Sequence, residues 1–185
     1  MPKTPSAAAV LTLLAAFWLP LSVAATERFD EGAWSAAIPG NPDEPCELTT
    51  GGYDRTADEQ NPMLLLAIAR DGPAPTLRVN VITVTELTQA ELLRARAELV
   101  VDGPSARTLA LIPAAIVQTD VERRVTFRAL PGGGEQAGLR AVVDAMRRAE
   151  RVTVKINGLP LEPAFSMQGL DVVWQRASSA CVPRR

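Results

Sequence analysis

The sequence contains no histidine and only two cysteines, Cys46 and Cys181, in 185 residues. Without imidazole it lacks the commonest general base and the commonest metal ligand, and every Ser-His or Cys-His arrangement is excluded. The two cysteines are far apart in sequence, so there is no Cys-x-x-Cys redox pair, and two thiols without imidazole do not make a zinc set. Lysine is nearly absent too: Lys3 and Lys155 are the only ones, and the remaining basic residues are arginines. With 19 basic against 21 acidic residues the net charge is −2. No stretch is basic enough to neutralise a run of phosphates, which argues against nucleic acid as a partner. No acidic residue precedes Glu27, and no long apolar run follows residue 25.

What is present begins at the N-terminus. One basic residue, Lys3, is followed by an apolar run from Ala7 to Leu19, then Pro20 and the small residues Ser22-Val23-Ala24-Ala25. This is the pattern of a secretory signal peptide over 1–25, cut after Ala25, with Ala24 as the alternative. Its core is shorter than the roughly 20 residues of a spanning helix. The expected mature chain is soluble, exported and periplasmic or secreted. It keeps 18 basic and 21 acidic residues, a net charge of −3, because the removed part carries only Lys3. A chain of this size suits one domain, 26–185. Two cysteines in an exported chain predict a single Cys46–Cys181 disulfide, worth on the order of 4–5 kcal/mol in the chain-entropy account.

Hydropathy patterning predicts a mainly β (α+β) fold, an antiparallel β-rich domain with two packed amphipathic helices. Residues 26–62 read as an irregular N-terminal segment and loop, with Pro39, Pro42 and Pro45 close together and Trp34 and Ile38 as anchors. The β-rich core is expected over 63–181. MLLLAIAR (63–70) is a short apolar run bounded by Asp-Gly-Pro, a buried strand. TLRVNVITVT (76–85) alternates, with Leu77, Val79, Val81 and Thr83 on one face and Arg78, Asn80 and Ile82 on the other. ELTQAELL (86–93) suggests a turn or two of helix. RAELVVDG (96–103) ends in an Asp-Gly turn signal, and 106–113 and 115–120 read as two short strands separated by Pro113. VERRVTFRAL (121–130) alternates again. The glycines of 131–134 lack the Lys-Ser or Lys-Thr of a phosphate loop, so they read as a turn.

The helix near 135–150 carries Leu139, Val142, Val143 and Met146 on one stripe, with Arg140, Asp144, Arg147 and Arg148 on a solvated face. RVTVKING (151–158) is a strand ending in an Asn-Gly turn, and 159–167 returns as an edge strand that Pro160 and Pro163 weaken. The last helix, near 169–181, has Leu170, Val173, Trp174, Ala177 and Cys181 on its stripe, so the disulfide would pin the C-terminus to the body.

The run RAERVTVKINGLPLEPAFSMQGLDVVWQRASSAC combines a helix end, two strands and Phe-small-x-x-Gly-Leu leading into an amphipathic helix. It resembles the C-terminal part of two groups of exported bacterial proteins, the invasion-associated locus B family and the type VI secretion-associated periplasmic family. ELVVDG (98–103) is also similar to a strand and turn of the locus B family. The resemblance implies a non-catalytic envelope protein with a β-sandwich-like domain, and it brings no catalytic residues, cofactor or metal ligands.

Acids cluster at Asp43-Glu44-Glu47 and Asp54-Asp58-Glu59 in Pro- and Gly-rich stretches. General acid–base chemistry would need two of them held across a cleft, and calcium would need a ligand spacing that is missing. Ser178-Ser179 has no activating base. The expected function is therefore an accessory or binding protein acting through contact with another envelope or secretion-system protein, by a sheet edge or the polar loops of 40–62. The alternative is a small hydrolase using carboxylates alone.

Overall fold

The stretch expected to be irregular opens with a hairpin. Strand β1 (Glu27–Glu31) pairs antiparallel with β2 (Trp34–Ile38), and β2 pairs with β3 (Cys46–Gly51). Glu31 opposes Trp34, so Gly32-Ala33 is a two-residue turn with Gly32 at φ +58. A glycine with positive φ at the first central position is what a type II′ turn asks for. Three prolines had hidden this alternation. Pro39 and Pro45 lie between β2 and β3, where they cost no ladder bond, and Cys46 begins a strand instead of following a loose segment. The computed structural model describes residues 26–41, 43–51, 62–69, 76–119, 123–129, 135–161 and 164–181. The expected signal peptide with its cut at Ala25, the acids Asp54, Asp58 and Glu59, and the glycines of 131–134 lie outside those residues.

The chain continues as β4 (Met63–Ala69), β5 (Thr76–Val84), α1 (Gln89–Leu92), β6 (Ala97–Val101), β7 (Arg107–Gln118) and β8 (Arg123–Ala129). Next come α2 (Glu135–Met146), β9 (Arg151–Ile156), β10 (Leu159–Pro160), β11 (Phe165–Ser166) and α3 (Leu170–Cys181). All strands form one antiparallel sheet in the order β1-β2-β3-β4-β5-β8-β7-β6-β9-β10, with β11 also on β9. The mainly β fold with two substantial packed helices is as the patterning predicts. Three local expectations need correction. Pro113 does not divide two strands: β7 runs through it, and the register shifts between Pro113 and Ala115, a bulge that accommodates the missing donor. Asp102-Gly103 is not a two-residue turn, because Val101 opposes Arg107 across a five-residue loop. The return strand is split into β10 and β11, consistent with its prolines. Asn157-Gly158, in contrast, does turn the chain in two residues, with φ of 53 and 83, the double positive φ of a type I′ turn.

The sheet is sandwich-like and encloses one core. Leu48, Leu64, Leu66, Val79 and Val81 come from the first half, and Leu99, Val101, Phe127, Val152 and Val154 from the second. Helix α2 packs on β5, β6 and β7, burying Leu139, Val142, Val143 and Met146, and α3 packs on β1, β2 and β3. On α3, Leu170, Val173, Ala177 and Cys181 are buried and Trp174 is partly so. Where β8 ends short of β5, the Gln136 side chain completes the ladder. It accepts from the Leu77 amide (2.7 Å) and donates to the Leu77 carbonyl (3.2 Å).

The two ends of the sheet meet near the start of α3. Trp34 Nε1 donates to the Ser166 carbonyl and the Ala33 amide to that of Gln168, each at 3.0 Å. Gly169, at φ +91, lies so close to the hairpin that a Cβ would overlap the Glu31 carbonyl. Glycine there is needed for both conformation and space. Cys46 and Cys181 are disulfide-bonded, with Cα atoms 6.3 Å apart and both residues fully buried. Arg176 lies over the Phe29 ring, 4.1 Å from its centroid, and pairs with Glu27. Arg147 does not belong to the solvated face with Arg148. It is only 26% exposed, meets Asp171 at 2.6 Å and Asp144 at 3.1 Å, and so ties the end of α2 to the start of α3. Among the described residues, no helix is long and apolar enough to cross a membrane.

Candidate functional site

In an antiparallel sheet, directly opposed residues project to the same side. The register therefore lays out the outer face of β1–β5 in rows. One row is Arg28, Ala37, Glu47, Ala67 and Arg78. The next is Asp30, Ser35, Thr49, Leu65 and Asn80, and beyond it Met63 opposes Ile82. The small side chains of Ser35, Ala37 and Thr49 leave a depression between longer neighbours. The result is a trough of about 730 Å³, floored by these residues with Leu65, Met63 and Ile82 and rimmed by Arg28, Asp30 and Glu47.

Two features set this face apart. Strand β4 is apolar on both sides, with Leu64, Leu66 and Ile68 inward and Met63, Leu65, Ala67 and Ala69 outward, of which Met63 and Leu65 are partly exposed and Ala67 and Ala69 are buried. A strand with one face in water normally alternates, and continuous apolar runs belong to strands covered on both faces. Second, Arg28, Asp30 and Glu47 are all exposed, and none forms an ion pair or side-chain hydrogen bond with another described residue. Charged groups held ready beside an apolar floor can steer and orient a protein partner.

The residues singled out from sequence separate in space. Asp43 and Glu44 belong to the turn before β3: the Asp43 amide donates to Asn41 Oδ1 (3.0 Å), and Asn41 Nδ2 donates to Glu44 Oε1 (3.3 Å). Glu47 alone of that cluster reaches the trough. Asp30 and Glu47 stand on β1 and β3 with β2 between them, and strands two apart are separated by about 10 Å. They rim an open surface and do not face each other across a cleft. Ser179 Oγ donates to the Arg176 carbonyl at 2.8 Å, and Ser178 Oγ is buried without a partner among the described residues. Both sheet edges are blunted, β1 by its four charged residues and β10 by its length and Pro160, as exposed edges usually are. Neither edge, among the described residues, presents a long apolar strand to a partner. Sequence reading missed the outer face of β1–β5, although MLLLAIA carried the signal: a strand needs water on neither side to be apolar throughout.

The fold and the trough thus define a disulfide-bonded, antiparallel β protein with two packed helices and an open, partly apolar outer face. No protein-family model, curated protein or solved structure matches the chain.

Proposed function

We propose that this is an exported envelope protein that acts in the periplasm by contact with another protein, without covalent chemistry of its own. The observation that carries the reading is the outer face of β1–β5, where an apolar floor around Leu65 is flanked by Arg28, Asp30 and Glu47, charges without a partner among the described residues. Export is supported by the apolar leading segment that ends at Ala25 and by the buried Cys46–Cys181 bond, since such bonds persist in oxidising compartments. A role of this kind is also what the resemblance to the locus B and type VI secretion-associated families implies. Mixed charge on the face makes nucleic acid a poor fit.

The test is affinity capture from periplasm with the mature chain, in wild-type and Leu65→Asp forms of equal thermal stability. Wild-type should retain an envelope or secretion-system protein that the variant loses. Equal retention by both would remove the face from the proposal.

A further inference from the structure

The outer face of β1–β5 is complementary to itself, and we infer that a second copy of this chain occupies it in a face-to-face twofold dimer. The inference rests on the reading of this face as a protein-contact surface and gives it a second copy as occupant, which another envelope protein would have to displace.

The register supplies the geometry. Phe29, Ala36, Leu48, Leu66 and Val79 lie in one line across the five strands and point into the core. A twofold axis over that line, perpendicular to the strands, exchanges the two flanking outer rows. Each residue then meets the partner copy's residue two positions along its own strand. Arg28 opposes Asp30, and by symmetry Asp30 opposes Arg28, so two ion pairs form from charges that have no described partner within one chain. Along β4 the same operation sets Leu65 over Ala67, large against small, with Ala67 only 5% exposed within one chain, so that Leu65 and Met63 supply the apolar area there. Ala37 meets Ser35, and Glu47 meets the Thr49 hydroxyl. No like charges oppose. An isologous contact must be self-complementary in this sense, and sheets packed face to face lie about 10 Å apart, a gap that arginine and aspartate side chains span.

An axis parallel to the strands fares worse. Placed over β3, it sets Arg28 against Arg78 and Glu47 against itself. Placed over β2, it pairs Arg28 with Glu47 but leaves Leu65 beyond the partner's β1 edge. The transverse axis is the arrangement that also covers β4, the strand whose outward residues are apolar.

Sedimentation velocity on the mature, disulfide-bonded protein tests this over roughly 1–300 μM, a range that resolves dissociation constants of ordinary reversible dimers. Wild-type should pass from monomer to dimer. Asp30→Arg and Arg28→Asp, which create like-charge oppositions, should each weaken association by about tenfold or more, and the double exchange should restore it. Leu65→Asp should abolish it, and Glu47→Arg should leave it nearly unchanged. Circular dichroism and thermal unfolding confirm that each variant is folded. A wild-type monomer at the highest concentration overturns the inference, and it leaves the functional proposal standing if capture still depends on Leu65. A dimer indifferent to Leu65→Asp overturns it in favour of edge pairing through β1. A dimer broken by Glu47→Arg and not by Asp30→Arg overturns the transverse axis.

Discussion

Strands β4 and β9 belong to the same hydrogen-bonded sheet and face the same core, yet their sequences obey different rules. In β9 the residues alternate strictly: Val152, Val154 and Ile156 are buried, and Arg151, Thr153 and Lys155 point outward beside Glu98 and Val100 of β6. In β4 no position is polar. The inward faces are alike, so the difference lies wholly in what each strand meets outside. Water on the outer side explains β9 fully; on β4 it leaves the partly exposed Met63 and Leu65 unexplained, since Ala67 and Ala69 are buried within the chain. Alternation thus reports on both surroundings of a strand, and its loss in β4 is what the proposed contact through the outer face of β1–β5 accounts for.

The sharpest way to break this comparison is to place one charge on each face of each strand. Leu64→Asp and Val154→Asp both bury a carboxylate, and each should destabilise by more than about 3 kcal/mol or prevent folding. Thr153→Asp should stay within about 0.5 kcal/mol of wild-type and Leu65→Asp within about 1 kcal/mol, by denaturant unfolding of the monomer. A Leu65→Asp loss equal to that of Leu64→Asp would make the outer side of β4 a second core.

Next in size is the disulfide. Cys46 opposes Ile68 of β4, so the bond anchors the half of the sheet that contains the trough. Cys181→Ser should cost about 2–5 kcal/mol. Hydrogen exchange should rise first in β1–β4 and α3 while β6–β9 stay protected; uniform loss would show the two halves to be one cooperative unit. Thiol titration of the unfolded, unreduced protein should find no free thiol.

Arg147 links the halves, because α2 lies over β5–β7 and α3 over β1–β3. Arg147→Ala should cost about 1 kcal/mol and Arg148→Ala close to nothing. A double-mutant cycle with Asp171→Asn should show coupling.

The smallest effect is confined to the β9 half. Thr88 caps α1: its hydroxyl accepts from the Glu91 amide, while Glu91 accepts from the Thr88 amide and hydroxyl, both at 2.7 Å. The Thr88 hydroxyl, then its backbone N–H, holds the Glu91 carboxyl below the ordinary glutamate value. A depressed carboxylate stabilises the fold above its ordinary value and loses that contribution as pH falls through the lowered one. Thr88→Ala should raise the Glu91 midpoint in an NMR titration, with shifts near α1 and β6 and none in β4.

The sequence made the buried stripes of both long helices legible because side chains at i, i+3, i+4 and i+7 record which face is dry. Leu139, Val142, Val143 and Met146 are buried as read, as are Leu77, Val79, Val81 and Thr83 of β5. The disulfide was legible because only one pairing of two cysteines exists. The β1–β2 hairpin was not, since ERFDE is an edge strand whose charges imitate a loop. Arg147 was misread because helical phase alone cannot show that α3 brings Asp171 to it. The trough was missed for a related reason: its floor and rim come from five strands, and their rows exist only once the register is set.

The Cys46–Cys181 bond turns most of the described chain into a covalent ring of sequence separation 135. A protease that cuts the backbone once between those residues yields no smaller species on a non-reducing gel, and two fragments appear only after reduction. Strands β1 and β2 lie outside the ring. A cut just before Cys46 therefore leaves them without a covalent tether, held by pairing with β3 and by contacts with α3 and the Ser166–Gln168 turn. Arg28 and Asp30 ride on that detachable hairpin. Nicking at 43–45 would allow Arg28 and Asp30 to be shed from the rim of the trough, while Glu47 and everything else closed within the ring stay in one piece.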